Sequence, residues 1–235
     1  MEIQLSKRLQ AVVELVTKGS SVADIGCDHA YVSIYMLTHQ IVDRVIAMDV
    51  NAGPLERARE NIKKFQVEDR IQIRQSNGIE QLQPGEVQTL LLAGMGGALM
   101  QKILQGKASV LDQVTELIVQ PQSEIPEFRR FLEQIGFRIE QENMIKEDGK
   151  YYVMMKAVRN QDIPLFETEV FYQYGKYLLE NKNETTQKYL EKEQKMYRQI
   201  CDKIQSHPSE RNEERIATLK KQLILCEEAL RFYED

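Results

Sequence analysis

The chain is poor in the features that mark exported and membrane-spanning proteins. It has three cysteines, Cys27, Cys201 and Cys226, in 235 residues. An odd count at wide spacing excludes a disulfide framework, offers no metal-binding pattern and fits a reducing compartment. The histidines His29, His39 and His207 are equally scattered. No apolar run approaches the roughly 20 residues that a helix needs to cross a bilayer. The first residues, Met1-Glu2-Ile3-Gln4-Leu5, carry an acid early and lack an apolar segment, so no secretory leader is expected. A surplus of positive charge is missing too. The net charge of −5 disfavours indiscriminate nucleic-acid binding but leaves room for a local basic face. What remains is ordinary, 42% hydrophobic and 29% charged, in a length that suits one full-sized core plus a smaller appendage.

Glycine marks an internal boundary. Eleven of the twelve glycines lie in residues 1–159, and only Gly175 lies beyond. The remainder is richer in charge and patterned for long helices, with Pro164 and Pro208 as its only prolines. Two domains are therefore expected, 1–159 and 160–235.

Residues 1–159 alternate strands with helices. Short apolar runs predict buried strands at Val22–Ile25, Val45–Met48, Ile71–Ile73, Thr89–Leu92 and Leu117–Val119. Helices are predicted near 29–39, 54–65, 97–105 and 125–135. This order implies a parallel sheet with helices on both faces. The rhythm then changes. Phe137–Glu140 and Tyr151–Met155 flank a turn at Glu147-Asp148-Gly149, which predicts an antiparallel hairpin. A mostly parallel, Rossmann-like sheet of seven strands ending in such a hairpin is typical of class I methyltransferases. Dinucleotide-binding Rossmann domains usually lack the hairpin.

In the tail, Ile216, Leu219, Leu223, Cys226 and Leu230 step by three and four, a heptad seam. Phe171, Tyr174 and Leu178, then Tyr189, Met196, Ile200 and Ile204, precede it. Ser206-His207-Pro208 is a candidate turn. The pattern predicts an antiparallel, α-helical coiled-coil hairpin; the plainer alternative is a helical cap on the sheet.

Four constellations carry chemistry. The first is Val22-Ala23-Asp24-Ile25-Gly26-Cys27-Asp28-His29-Ala30-Tyr31, an apolar strand running through a glycine turn into a helix. Ligands of open α/β sheets bind at such strand ends. A dinucleotide would need G-x-G-x-x-G, and this turn has Gly26 alone. Asp24 suits a ligand with an ammonium group better than one with phosphates. S-adenosylmethionine carries a sulfonium, an ammonium and no phosphate. Asp28 also fits as a simple helix cap. Cys27 fits as a small packing residue in the cofactor turn.

The second is Asp49, 23 residues after Gly26, where an acid commonly binds ribose hydroxyls, with Val50 beside it for the adenine ring. The third is Asn77-Gly78, an amide suited to an adenine edge beside a glycine that admits close backbone approach. The fourth is Ala93-Gly94-Met95-Gly96-Gly97. Its glycines suggest backbone lining a ligand or a flat substrate. Ala93, Gly94 and Met95 are assigned to the cofactor, Gly96 and Gly97 to the substrate. There is no Asn-Pro-Pro-Tyr, which serves exocyclic amino methylation, and no Pro-Cys, which serves cytosine C5.

These motifs resemble the bacterial tRNA (adenine(22)-N1)-methyltransferase family called TrmK. The resemblance rests on Leu5-Ser6-Lys7-Arg8-Leu9, Ala23–Tyr31, Ala93–Gly97 and Gln120-Pro121-Gln122. It covers residues 1–159 well, and the helical tail fits too. It implies a class I methyltransferase domain followed by a coiled coil, methyl transfer from S-adenosylmethionine to N1 of adenine 22 in tRNA, and a cytoplasmic enzyme with no membrane partner. Asp28 is the candidate to stabilise the cationic product, and His29 and Tyr31 the candidates to orient the base. Gln122 is assigned to the substrate. Lys7, Arg8, Arg129, Arg130, Lys146 and Lys150 are candidates for phosphate contacts. The tail, with 12 basic and 15 acidic residues, suits either tRNA contact or dimerisation. The alternatives are a methyltransferase of a small molecule or protein, and a non-catalytic cofactor-binding module that engages a protein partner.

Overall fold

The computed structural model describes residues 3–160, 166–205 and 210–234. The chain divides into two compact units, Met1–Ile163 and Pro164–Asp235.

The first unit is built on seven strands: β1 (Ser21–Ile25), β2 (Arg44–Asp49), β3 (Ile71–Gln75), β4 (Thr89–Met95), β5 (Glu116–Pro121), β6 (Phe137–Glu147) and β7 (Lys150–Arg159). Their spatial order is β3-β2-β1-β4-β5-β7-β6. The first five pair in parallel, and β7 runs antiparallel between β5 and β6. All seven predicted strands are present. Each is longer than its apolar run, because the added residues are mostly polar or glycine and carry no hydrophobic signal. Parallel strands are covered on both faces, so β1, β2, β4 and β5 are buried almost throughout and read as unbroken apolar runs.

Six helices accompany the sheet: α1 (Lys7–Val13), α2 (Tyr31–Thr38), α3 (Ala52–Phe65), α4 (Gly97–Gln105), α5 (Ala108–Leu111) and α6 (Ile125–Gln134). On α3, Leu55, Ala58 and Ile62 form the buried stripe, spaced by three and four. The short α1 and α5 were not predicted, being too brief to show a period. Two acceptors hold the start of α1. Ser6 Oγ accepts from the Leu9 N–H at 3.3 Å, and the Glu147 carboxylate accepts from the Lys7 N–H at 2.7 Å.

The hairpin outruns its neighbour. β5 and β7 pair as far as Val119 with Met155, whereas β6 and β7 continue to Glu147 with Lys150. Five further residues span roughly 16 Å at about 3.3 Å each, so the tip projects past the carboxyl edge of the sheet. Asp148 and Gly149, at φ 49° and 77°, make the tight turn predicted there.

The second unit contains α7 (Glu169–Tyr174), α8 (Lys176–Glu180), α9 (Glu184–Gln205) and α10 (Glu210–Arg231). Just past α10, the Tyr233 hydroxyl donates to the Asn183 carbonyl at 3.1 Å, at the start of α9. Seven residues, about two turns, further along, Cys226 Sγ meets the Leu190 carbonyl at 3.3 Å. The two long helices are therefore antiparallel. The predicted turn Ser206-His207-Pro208 lies outside the described residues. Met196, expected in the seam, is 40% exposed. The buried stripe of α9 runs through Thr186, Leu190, Tyr197 and Cys201, which leaves position 196 on the outer face. Val170, Phe171, Tyr174 and Leu179 from α7 and α8 share the core with Leu190, Tyr197, Cys226 and Ala229. This unit thus has a core of its own. No described helix is long and apolar enough to cross a membrane.

Candidate active site

A pocket of about 260 Å³ opens at the carboxyl ends of β1 and β4. This is where the strand order reverses, the place where open α/β sheets bind ligands. Asp24 enters from β1, and Gly26, Cys27, Asp28 and His29 from the turn after it. Tyr31 comes from α2, Ala93 and Gly94 from β4, Arg8 from α1 and Gln122 from the segment after β5. The structure thus gathers ten sequence-predicted residues, and adds Leu9, Val32 and Leu91 to the lining. A larger cavity of about 520 Å³ borders the opposite, amino ends of β1, β2 and β3 and contains none of the predicted residues.

The turn after β1 is tightly specified. Gly26 has φ +73°, and a Cβ there would collide with Met95 Cε. Asp28 and Ala30 hold φ 50° and 60°, left-handed conformations that cost non-glycine residues energy. Hydrogen bonds hold the turn in place. The Gly26 and Cys27 N–H groups both donate to the Met48 carbonyl, at 2.8 and 2.9 Å. Asn61 Nδ2 on α3 donates to the His29 carbonyl at 3.0 Å. Asn61 escaped the sequence reading, because an Asn on a helix surface carries no mark of a backbone partner 32 positions away.

Electrostatics differ sharply among the site's acids. Asp24 is 3% exposed and accepts from Ser33 Oγ at 2.6 Å. Burial pushes its pKa up to about 6; the Ser33 hydrogen bond opposes that, and the charge of Asp49 adds to it. Asp28 instead lies at the rim with its side chain 71% exposed, Oδ1 3.4 Å from His29 Nε2. The His29 and Tyr31 rings are 6.0 Å apart, and Tyr31 is 44% exposed. Burial, with the nearby Asp24 and Asp49 charges, pushes the Cys27 thiol well above its ordinary range. A thiol so buried, 7% exposed, suits packing better than nucleophilic attack.

At the end of β4 the ladder with β5 shifts register between Ala93 and Met95. Gly94, at φ +80°, is the bulged residue, and its N–H donates to the side-chain oxygen of Gln120 at 3.1 Å. Gln120 Oε1 also accepts from Arg8 Nη1 at 2.8 Å. Arg8 in turn lies over the Tyr152 ring, 5.6 Å from its centroid. Neither Gln120 nor Tyr152 was assigned a role from sequence. A buried glutamine at the end of an apolar strand was the available signal.

Other predicted residues share this edge without lining the pocket. Asp49 Oδ1 accepts from the Asn51 N–H at 2.9 Å, and Val50 is 55% exposed. Asn77 is exposed and donates to Glu80 Oε1 at 2.7 Å, while Gly78 is buried against Ile103. Gly96 precedes α4, beside Ser123. Lys7, Lys146 and Lys150 are exposed around the hairpin tip, with Lys146 Nζ 5.3 Å from the Tyr151 ring.

Two expectations are corrected. Gly97 is buried, and a Cβ there would sit 2.6 Å from the Ser123 carbonyl oxygen, so it serves chain packing and not a substrate surface. Arg129 is 1% exposed and its Nε donates to Glu142 Oε1 at 2.8 Å. It lies on the inward stripe of α6 with Phe128 and Leu132, so it cannot meet a phosphate. Arg130 is half-buried on the same helix and does not line the pocket.

Residues 5–155 match the family described as Methyltransferase domain. A Bacillus subtilis tRNA (adenine(22)-N(1))-methyltransferase is 30% identical over 97% of this chain and 98% of its own length. The crystal structure of the Bacillus subtilis tRNA methyltransferase TrmK is similar with a TM-score of 0.84 at 30% identity, covering 97% of this chain and 100% of that one. A Streptococcus pneumoniae structure in complex with S-adenosyl-L-methionine has a TM-score of 0.82 at 27% identity over the same shares. A methyltransferase fold with its pocket at the β1–β4 switch point, and likeness along almost the whole chain, place it: the protein belongs to the TrmK family of tRNA (adenine(22)-N1)-methyltransferases.

Proposed function

We propose that the protein transfers a methyl group from S-adenosylmethionine to N1 of adenine 22 in tRNA. The likeness to the Bacillus subtilis enzyme carries this reading, because it spans 97% of the chain and so includes the helical unit as well as the methyltransferase domain.

The pocket suits the cofactor. Asp24 and Asp28 are anions for its cationic groups, and Asp49, the last residue of β2, is assigned to the ribose hydroxyls. Val50, Asn77 and Gly78 are assigned to the adenine. Gly26 and Gly94 keep side chains out of the space over the strand ends. When bound, the cofactor supplies an electrophilic methyl on a sulfonium.

Adenine N1 has a lone pair at neutral pH, so the protein has no proton to remove first. Its tasks are to expose N1, align it and exclude water. Flipping the base from folded tRNA costs a few kcal/mol. The exposed Tyr31 ring offers that base a stacking surface. The Asp28 carboxylate, beside His29, stabilises the positive charge that develops on the methylated ring. Lys7, Lys146 and Lys150 meet phosphates at the projecting hairpin, and the helical unit extends the RNA contact. The enzyme works in the cytoplasm, where its substrate is.

The test is to incubate the purified protein with S-adenosylmethionine and unmodified tRNA transcripts, then separate nucleosides by mass spectrometry. 1-Methyladenosine is expected. Cofactor binding without any RNA methylation would overturn the RNA reading.

A further inference from the structure

We infer that Glu124 is a positioning residue for methyl transfer: it clamps the turn after β4 to the segment after β5 and so fixes the wall against which the base is aligned. This rests on the proposed methylation of tRNA.

Glu124 begins α6 in an unusual state. Its φ of 52° is left-handed, a conformation that a side chain disfavours and that persists only where the surroundings hold it. Its carboxylate gives no cap to α6. Instead Oε2 reaches 26 positions back and accepts from the Ala98 N–H, in the first turn of α4, at 3.0 Å. Ser123 Oγ donates to the same oxygen at 3.0 Å and steadies it.

The start of α4 needs that acceptor. The first N–H groups of a helix have no partner inside it, and the cap residue here is Gly96, which has no side chain to offer. An acid also suits the positive end of a helix. Two backbone bonds complete the clamp. The Gln122 N–H donates to the Met95 carbonyl at 2.8 Å, and the Gly97 N–H to the Ser123 carbonyl at 3.2 Å. Three successive residues of one segment thus hold the turn at Met95, Gly97 and Ala98. Close approach depends on the glycines, since a Cβ on Gly96 would lie 3.0 Å from Ser123 Oγ.

The clamp joins two walls of the pocket. Gly94 lines it just before the held turn, and Gln122 just before Ser123, while Glu124 does not line it. Asp28, His29 and Tyr31 line it from the side of β1 and α2. In-line attack is sensitive to displacements of about 1 Å, so a wall that drifts lowers the rate. A glycine at position 124 would take the left-handed conformation more easily, but it would leave the turn unclamped.

Three substitutions separate strain from clamp. Glu124→Gly relieves the left-handed residue and removes the acceptor. Glu124→Ala removes the acceptor and keeps the strain. Glu124→Gln keeps both the strain and an acceptor. Single-turnover methylation of a tRNA transcript should slow about tenfold in the first two and less than about threefold in Glu124→Gln. The Kd for S-adenosylmethionine should stay within about threefold of native in all three. Thermal melts should place Glu124→Gly above Glu124→Ala, although both are equally slow. Amide exchange read by mass spectrometry reports the clamp without catalysis. Peptides covering 95–100 should exchange about fivefold faster in Glu124→Gly and Glu124→Ala, and at the native rate in Glu124→Gln.

A native methylation rate in Glu124→Gly overturns the proposal, as do rates that follow melting temperature. So does an equal loss in Glu124→Gln, which would make charge the cause, or a cofactor Kd that weakens in step with the rate. Unchanged exchange in Glu124→Ala of an active protein overturns the clamp alone. A native protein that methylates no transcript overturns the reading of the function, and this role with it.

Discussion

Ser33 Oγ donates to Asp24 Oδ2 at 2.6 Å, linking the helix after the first strand to the acid at that strand's end. The bond stabilises the ionised form of Asp24, yet burial prevails and the pKa stands at about 6 against an ordinary 3.8. Between those values the folded state keeps a proton that the unfolded chain has lost. Stability therefore falls as pH rises through that window, by about 3 kcal/mol at most. Asp24→Asn should remove this slope in denaturant titrations from pH 4 to 7. A cationic ligand favours the carboxylate, so cofactor affinity should rise from pH 5 to 7 in the native protein and stay level in Asp24→Asn. An affinity independent of pH in both would contradict the assignment of Asp24 to the cofactor.

Asn61 pins the His29 carbonyl in a turn where two non-glycine residues are left-handed. Loss of that bond should let Asp28 and His29 drift while the rest of the pocket stays. Asn61→Ala is expected to lower kcat about tenfold with less than a threefold change in the KM for S-adenosylmethionine. Asn61→Asp, of the same size without the donor, should reproduce the loss. Parallel changes in both constants would point to general disruption.

The proposed function gives the exposed Asp28 carboxylate a larger part in stabilising charge on the base than in holding the cofactor. Asp28→Ala should reduce kcat about a hundredfold in single-turnover assays, with cofactor Kd within threefold of native. Equal losses in turnover and cofactor binding would sink its catalytic role.

Arg129 and Glu142 form an ion pair with side chains 1% and 0% exposed. Removing one partner strands a buried charge. Arg129→Met should cost about 3–5 kcal/mol in urea unfolding, and adding Glu142→Leu should recover most of it. Neither change should alter the salt dependence of tRNA binding. Lys146→Gln and Lys150→Gln should each flatten that dependence by about one counterion.

The strands were legible in the sequence because parallel strands bury both faces, so Val22–Ile25 and Leu90–Leu92 read as apolar runs. The turn from Asp24 to Tyr31 was legible because its chemistry is local, a strand end, one glycine and a helix start within ten residues. Relationships across the fold were not. Arg8 and Gln120 are 112 positions apart, and only folding brings α1 to the end of β5. Arg129 looked like a surface charge by residue type, but its place on α6 beside Phe128 and Leu132 turns it inward. Gly97 looked like part of a ligand turn, but the chain that approaches it is the protein's own at Ser123. The seam of α9 was misplaced by one residue, since an apolar Met196 marks a face no better than the half-polar Tyr197 that is buried there.

The most direct measurement compares two tRNA transcripts that differ only at position 22, adenine in one and guanine in the other, each incubated with the protein and S-adenosylmethionine. Nucleoside mass spectrometry should find 1-methyladenosine in the first and none in the second, with a reverse-transcription stop at position 22 of the first. Equal methylation of both transcripts, or of neither, would contradict the assignment of adenine 22 as the base that enters the β1–β4 pocket.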